Sequence, residues 1–564
     1  MSYQRIFREL KFGQFLSDTL QLLAFVCVLT GNLTAFAGQP AKVTISPEQA
    51  AKHVDALLKA DFNKSASKLQ PAPIVKDETY LRRLSLDFVG VSPTAEEVML
   101  FSLDPRPDKR TKMIEQMLTD PRYGENLARY WRDVIFYRRT EDRALLAAQG
   151  CVKFLTEEFN KNTAWDKIAS AFITAEGDIL EKGETALIFA QAGQPEDTVA
   201  EVSRIFMGIQ IQCAQCHDHP TDRWKREQFH QMAAFFPRVA VRPANLGVPR
   251  SFVVAVNDME FDFRGRMMAN QRFRGTAEHY MPDKQNPSAK GTLAEPVFFV
   301  SGQKLKTGTK DASRRGSLAN WLTSTDNEWF AKAFVNRVWS ELVGEGFYEP
   351  IDDIGPDREC SAEEALNYLA TSFASSGYDV KWLYQAIAST EAYQRESRSR
   401  RDPEEPPFLA NVSQRLRADQ IFNNLAAIFS INEPPMPVLR PGNVGQGMFR
   451  GSPRFLFSIA FGYDPSAPRD EIAGSIPQAL VMMNSMAVNQ RINANYGLLG
   501  DMLRKFKNDE DLTAELYLKT LAREPSQKEL ATCQEYVRSV GKRGEAFEDI
   551  LWSLINSTEF LHRR

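Results

Sequence analysis

Two cysteines and a histidine at fixed offsets, Cys213-Ala-Gln-Cys216-His217, are the residues whose types and spacing point most directly to chemistry. In a C-x-x-C-H run the two thiols lie about one helical turn apart. Both can form thioethers with the vinyl groups of a porphyrin while the adjacent imidazole binds the iron from one face. The expected cofactor is haem c, attached through Cys213 and Cys216 with His217 as proximal ligand to the iron, and the expected function is electron transfer. A second chemistry fits the same residues. Cys213, Cys216, His217 and His219 offer two thiolates and two imidazoles, the ligand types of a closed tetrahedral zinc site, although adjacent ligands at 216 and 217 must then point the same way. This alternative makes the chain a binding or structural protein with a Cys/His zinc site at 213–219. A Cys213–Cys216 redox dithiol is a third option, with no βαβ pattern around it.

Six-coordinate haem iron needs a second axial group, and by residue type the candidates are His219, His230, His279, Met232, Met267, Met268 and Met281. His219 is too close to the attachment loop to reach the opposite face, whereas His279 and Met281 have a workable separation. Asp218 and Asp222 are candidate acceptors for orienting His217 or His219. The chain has no G-x-S-x-G elbow, H-E-x-x-H run or phosphate loop, and its paired carboxylates, Asp352-Asp353 and Glu363-Glu364, read as caps or solvated faces, so no catalysis is assigned.

Haem attachment of this kind requires export, and the amino terminus has the pattern for it. Arg5, Arg8 and Lys11 precede an apolar stretch, Leu20 to Leu29, and Ala35-Phe36-Ala37 forms an A-x-A cleavage site. A signal peptide over 1–37 is expected, with the mature protein in the periplasm or at the cell surface and no integral membrane segment after cleavage. Of six cysteines, Cys27 falls in the leader. The others, Cys151, Cys213, Cys216, Cys360 and Cys533, are too sparse for a disulfide scaffold. Stability must therefore come from packing. The 564 residues suffice for about three domains, and 43% hydrophobic with 25% charged residues is an ordinary globular composition. A net charge of −3 with no long basic run gives no electrostatic case for nucleic acid. The partner expected is a redox protein or a surface ligand.

The elements that must position the cluster read as helices. Val202, Ile205, Phe206 and Ile209 share one face after Pro195, and Phe229, Met232, Ala233 and Phe236 repeat the stripe, so the cluster sits at the join of two amphipathic helices. The fold class is mainly α, with capping-box helical hairpins and a small β-containing insertion. Thr94–Glu97, Ser361–Glu364 and Ser526–Glu529 each read as a capping box opening a helix, followed by helix ends of related form near Asp120, Thr390 and Ser557. Short β-rich runs, Ser251–Val256 and Pro296–Val300, mark the insertion. The apolar stretch 472–488 reads as a core helix. The resulting boundaries are 38–236 for a helical domain with the C-x-x-C-H, 237–312 for the β-rich insertion, 313–400 for the first part of a second helical domain, 401–509 for a linker and core helices, and 510–564 for a C-terminal helical hairpin.

Particular runs also resemble known families. Tyr80 to Gly90 with Pro93-Thr94, Arg122-Tyr-Gly-Glu125 with Trp131, and Gln212 to Pro220 with Asp222 and Trp224 resemble the planctomycete cytochrome-like domain of unknown function 1549. Asn336-Arg-Val-Trp339, Gly344-Glu-Gly346, Pro350 with Asp352-Asp353, Ser389 to Tyr393, Gln478-Ala-Leu480 with Asn484, and Leu551 to Ser557 resemble its usual partner, domain of unknown function 1553. The resemblance implies export and a role in electron transfer, with Cys213 to His217 as the haem site. It departs at Thr221, where relatives often have Phe.

Overall fold

A computed structural model describes residues 45–64, 69–244, 248, 250–258, 278–286, 288–398, 405–432, 453–467, 474–484 and 486–564. Helices carry the architecture, and local sequence explains where they start. The helix Pro121–Phe136 opens with Asp120 accepting the Arg122 amide at 2.8 Å and with Pro121 in its first turn. It then buries Tyr123, Leu127, Tyr130, Trp131 and Val134 along one stripe.

The helices expected of the hairpin modules follow one another in the chain, Ala95–Leu103 then Lys109–Thr119, Glu363–Ser375 then Val380–Ala388, and Gln527–Val540 then Arg543–Ile555, but only the last two helices pack broadly on each other as a hairpin. Asp120, Thr390 and Ser557 each cap the helix that follows the second member. Reciprocal capping boxes form at Thr94–Glu97 and Ser526–Glu529. At the middle module the expected box is absent. Ala362 occupies the cap position in the left-handed region (φ 56°), and the Ser361 amide donates to the Phe347 carbonyl at 2.7 Å instead. A long-range backbone bond has displaced the local one.

The β content is small and antiparallel around the site. Phe252–Val256 runs between Gly177–Asp178 and Val239–Pro243, with Val254 opposite both Gly177 and Val241. A two-residue hairpin pairs Tyr280 with Leu293 and Met281 with Thr292. The insertion therefore borrows Gly177–Asp178 from the helical region before it. Of the run 296–300, only a single bridge, Val297 to Lys304, is paired.

Two hydrophobic cores support these elements. In the larger, Trp131 stacks on Phe334 at 5.8 Å and Trp165 lies 4.4 Å from the same ring. The second gathers Leu416, Ile421, Phe422, Leu516, Phe547 and Leu551. The N-terminal helices and the chain's end interlock. Arg82 donates to the carbonyls of Glu559 and His562, Arg83 to that of Arg564, and Arg563 pairs with the buried Asp87 at 3.0 Å. The apolar stretch 472–488 is not a core helix throughout. Its helix Ile476–Asn484 leaves Ile476 78% and Leu480 50% exposed. No described helix is long and apolar enough to cross a membrane. The leader, including the expected cleavage site, lies outside the described residues, as do 399–404 of the expected linker.

Candidate functional site

The helix Pro195–Met207 delivers the chain to the cluster and is fixed deep in the protein. Its Arg204, 3% exposed, donates to Glu201 at 2.6 Å, to Asp352 at 2.7 Å and to the Val134 carbonyl at 2.9 Å. Burial pushes the Asp352 carboxyl up, but Arg204 and Arg337 more than offset it and hold it below its ordinary value. The helix ends at Gly208 in the left-handed region (φ 67°). A Cβ there would meet Ile354 Cδ1 at 2.7 Å, and the Ile354 amide donates to the Gly208 carbonyl at 2.6 Å.

Four residues later the chain makes one 3₁₀ turn, Gln212–Gln215, with Ala214 buried beneath it. Cys213 and Cys216 are exposed and free, and His217 follows on the same surface. The His217 ring is oriented by its own loop, with Nδ1 lying 2.7 Å from the Asp218 carbonyl oxygen. A carbonyl only accepts, so Nδ1 carries the proton and Nε2 keeps its lone pair. The loop closes where the His219 amide donates to the Trp224 carbonyl at 2.8 Å, and Trp224 is buried edge-on to Phe299. Arg358 holds it from outside, donating to the Thr221 carbonyl and hydroxyl, each at 3.1 Å.

The structure reassigns the two neighbouring aspartates. The Asp218 carboxylate does not orient a histidine; it accepts the Arg226 amide at 3.1 Å and pairs with Lys225 at 3.2 Å. Those two interactions hold it below its ordinary value. It thus serves the start of the helix Arg226–Ala233, and only its backbone carbonyl serves His217. Asp222 accepts the Arg223 amide at 2.7 Å and packs on Gly355.

That second helix carries His230, which is 1% exposed. Its Nε2 lies 3.1 Å from the Gln215 carbonyl, inside the C-x-x-C-H, and its Nδ1 lies 2.9 Å from Nε2 of the buried His279. The carbonyl again fixes the tautomer, so His230 Nε2 donates to Gln215 and His279 Nε2 donates to His230 Nδ1. Burial, with Arg226 nearby, pushes the His230 imidazole below its ordinary value. Arg226 adds a second link, donating from Nε to the Gln215 carbonyl at 3.3 Å and from Nη2 to the Pro282 carbonyl at 2.6 Å. It also lines a cleft of about 490 Å³ with Met281, Pro282, Asp283, Lys284 and Lys290.

Cys213, Cys216, His217 and His219 are thus brought to one surface loop. Among the described residues no three His, Cys, Asp or Glu side chains converge as a metal-holding group, so these four do not close around an ion in this conformation. Of the axial candidates, Met232 is buried in the core, His230 and His279 bond to each other, Met281 lines the cleft, and Met267 and Met268 lie outside the described residues. Sequence reasoning missed Arg226 and the anchoring of Glu278 by Arg238 and Arg314 (3.2 and 2.7 Å). No local spacing signals an arginine that bridges two carbonyls 67 residues apart in the chain.

Residues 53–241 match the family model described as PSCyt2, protein of unknown function (DUF1549), and residues 314–436 match that described as PSD1, protein of unknown function (DUF1553). No curated protein and no solved structure gives a match.

Proposed function

Starting from a chain that joins a PSCyt2 (DUF1549) domain to a PSD1 (DUF1553) domain, we propose that it is an exported c-type haem protein whose function is electron transfer in the periplasm or at the cell surface. The observation that carries this reading is the state of His217. Its Nδ1 proton is spent on the Asp218 carbonyl at 2.7 Å, which leaves Nε2 as a lone-pair donor beside two exposed, free thiols on the adjoining turn.

The donor set fits the group. Cys213 and Cys216 are open to thioether formation without unpacking the core, because the buried residue of the turn is Ala214. Arg226, which bonds the Gln215 carbonyl, lines a cleft with Lys284, Lys290 and Asp283, and its three cations would complement the carboxylates of a porphyrin that reached it. When bound, the haem supplies a one-electron Fe(III)/Fe(II) couple. The protein's part is to hold the ring of His217 in one tautomer, to fix the turn through Gln215, and to receive one electron from a donor protein and pass one to an acceptor. The basic n-region, apolar stretch and Ala35-Phe36-Ala37 site support export.

Expression in a host with cytochrome c maturation machinery tests the proposal. The absorption of porphyrin should stay with the chain after denaturation and vanish in a Cys213→Ala/Cys216→Ala double variant. A colourless chain carrying about one equivalent of zinc would replace haem with a structural zinc site.

A further inference from the structure

We infer that the pocket of about 310 Å³ between the helices Pro121–Phe136 and Ala418–Phe429 binds a small organic carboxylate, its anionic end on Arg129 and Arg454 and its short apolar body on Val89, Val91 and Ala426. The site shares no residue with the attachment turn and stands apart from the haem reading. Arg122, Glu125, Asn126 and Arg129 recur at the spacing of three and four residues that puts side chains on one helix face, and all four line the pocket. Asn423 and Ala426 line it from the second helix, and Arg454 from the start of the helix Pro453–Phe461.

The walls are fixed by bonds of their own. The helix Asp77–Val89 ends at Gly90 in the left-handed region (φ 71°), where a Cβ would lie 2.7 Å from Asn126 Oδ1. The Gly90 carbonyl accepts from Asn423 Nδ2 at 3.2 Å, the Asp87 carbonyl accepts from Asn126 Nδ2 at 2.7 Å, and the Ser92 amide donates to Asn424 Oδ1 at 2.7 Å. Val89 and Val91 are thereby tied to both helices, and little remains to be ordered when a ligand enters.

The cations are held in place as well, but Arg129 is not used up. Arg122 is taken by Asp120 at 2.6 Å, and Arg454 lies over the Phe422 ring at 4.5 Å. Arg129 donates to Asn423 Oδ1 at 3.2 Å and to Glu125 at 2.5 Å, which employs two of the five N–H donors of a guanidinium. Its side chain is only 19% exposed, so the pocket it lines is where the remaining donors meet a partner. Burial, reinforced by Arg454 and Arg132 against Asp419 and Glu125, pushes the Arg129 guanidinium below its ordinary value. A carboxylate bound between Arg129 and Arg454 relieves that repulsion, and its planar pair of oxygens matches the guanidinium fork. The pocket is at the small end of the range for organic ligands, and its valine and alanine side suits a short apolar body better than a bare hydrated anion.

The test uses the full chain with isotope-labelled valine and alanine methyl groups, and benzoate, benzamide and inorganic phosphate as probes. Benzoate should shift the methyl signals of Val89, Val91 and Ala426 and saturate below about 10 mM. Benzamide, of the same shape without the charge, should bind at least about tenfold more weakly, and Arg129→Gln should weaken benzoate by a similar factor. Glu125→Gln removes a competing carboxylate from a half-exposed position and should tighten benzoate by about two- to fivefold, a gain that damage to the fold does not produce. Absence of a saturable shift, benzamide binding as well as benzoate, or benzoate affinity unchanged in Arg129→Gln overturns the assignment. Phosphate binding more tightly than benzoate also overturns it, since the pocket would then serve inorganic oxyanions.

Discussion

Replacing His230 with leucine tests the link between the helix Arg226–Ala233, the attachment turn and the segment bearing His279. The substitution removes two hydrogen bonds, at 3.1 Å to Gln215 and 2.9 Å to His279. Each is worth about 0.5–1.5 kcal/mol net, and a buried polar group deprived of its partner costs about 1–3 kcal/mol more. Gln215 retains Arg226 as a donor, so that further cost falls on the His279 side, and burying leucine returns part of the loss. The net local cost is about 2 kcal/mol, or roughly 30-fold in an opening equilibrium. Native-state hydrogen exchange reads it at the Ala294 amide, which donates to the His279 carbonyl at 3.0 Å. Exchange there should quicken by about that factor, while amides of the helix Pro121–Phe136 stay unchanged. The effect should also depend on pH. The folded His230 is held below its ordinary value, 6.5, so the unfolded chain binds a proton first as pH falls. Its contribution is complete above that value and is lost below it, and the difference between wild type and His230→Leu should shrink as pH falls from neutral towards 5. A change under about threefold at neutral pH would refute the reasoning that this histidine pair holds the segment in place.

Other expectations follow from the same structure. Thr94→Ala and Ser526→Ala should each cost about 0.5–2 kcal/mol in urea denaturation, whereas Ser361→Ala should cost little, because Ser361 does not cap its helix. Arg204→Met strands Glu201 and weakens the hold on Asp352, and should cost about 3–5 kcal/mol by the same measurement. Burial raises the Asp55 carboxyl to about 7, against a hydrogen bond from the Glu391 amide that works to lower it. The unfolded chain gives up that proton first, so stability falls as pH rises from about 4 to about 7, and Asp55→Asn should raise Tm at pH about 8, by the equivalent of about 1–2 kcal/mol, and clearly less at pH about 5.

How much could be read beforehand varies with the range of the interaction. The helices flanking the cluster were legible, because periodic apolar stripes and Pro195 are local signals, and the C-x-x-C-H itself needs only five consecutive residues. The capping boxes at Thr94 and Ser526 formed as their spacing implied. At Ser361 the same spacing failed, because the Phe347 carbonyl claimed the amide and set Ala362 in the left-handed region. Asp218 followed a similar course. Proximity in sequence suggested that it orients a histidine, but its carboxylate found the nearest unsatisfied helix amide. The apolar stretch near 480 read as core because composition cannot report which side of a helix a neighbour covers. What holds the site in register, Arg226 across 67 residues and His230 across 49, depends on tertiary approach and left no pattern in the chain.

The most direct measurement of the central claim is the mass of the proteolytic peptide containing Cys213 to His217 from protein matured in a cytochrome c-competent host. Haem attachment predicts one peptide carrying a single porphyrin iron through both cysteines, with no free-thiol labelling at either. An unmodified peptide whose two thiols label fully after denaturation would contradict it.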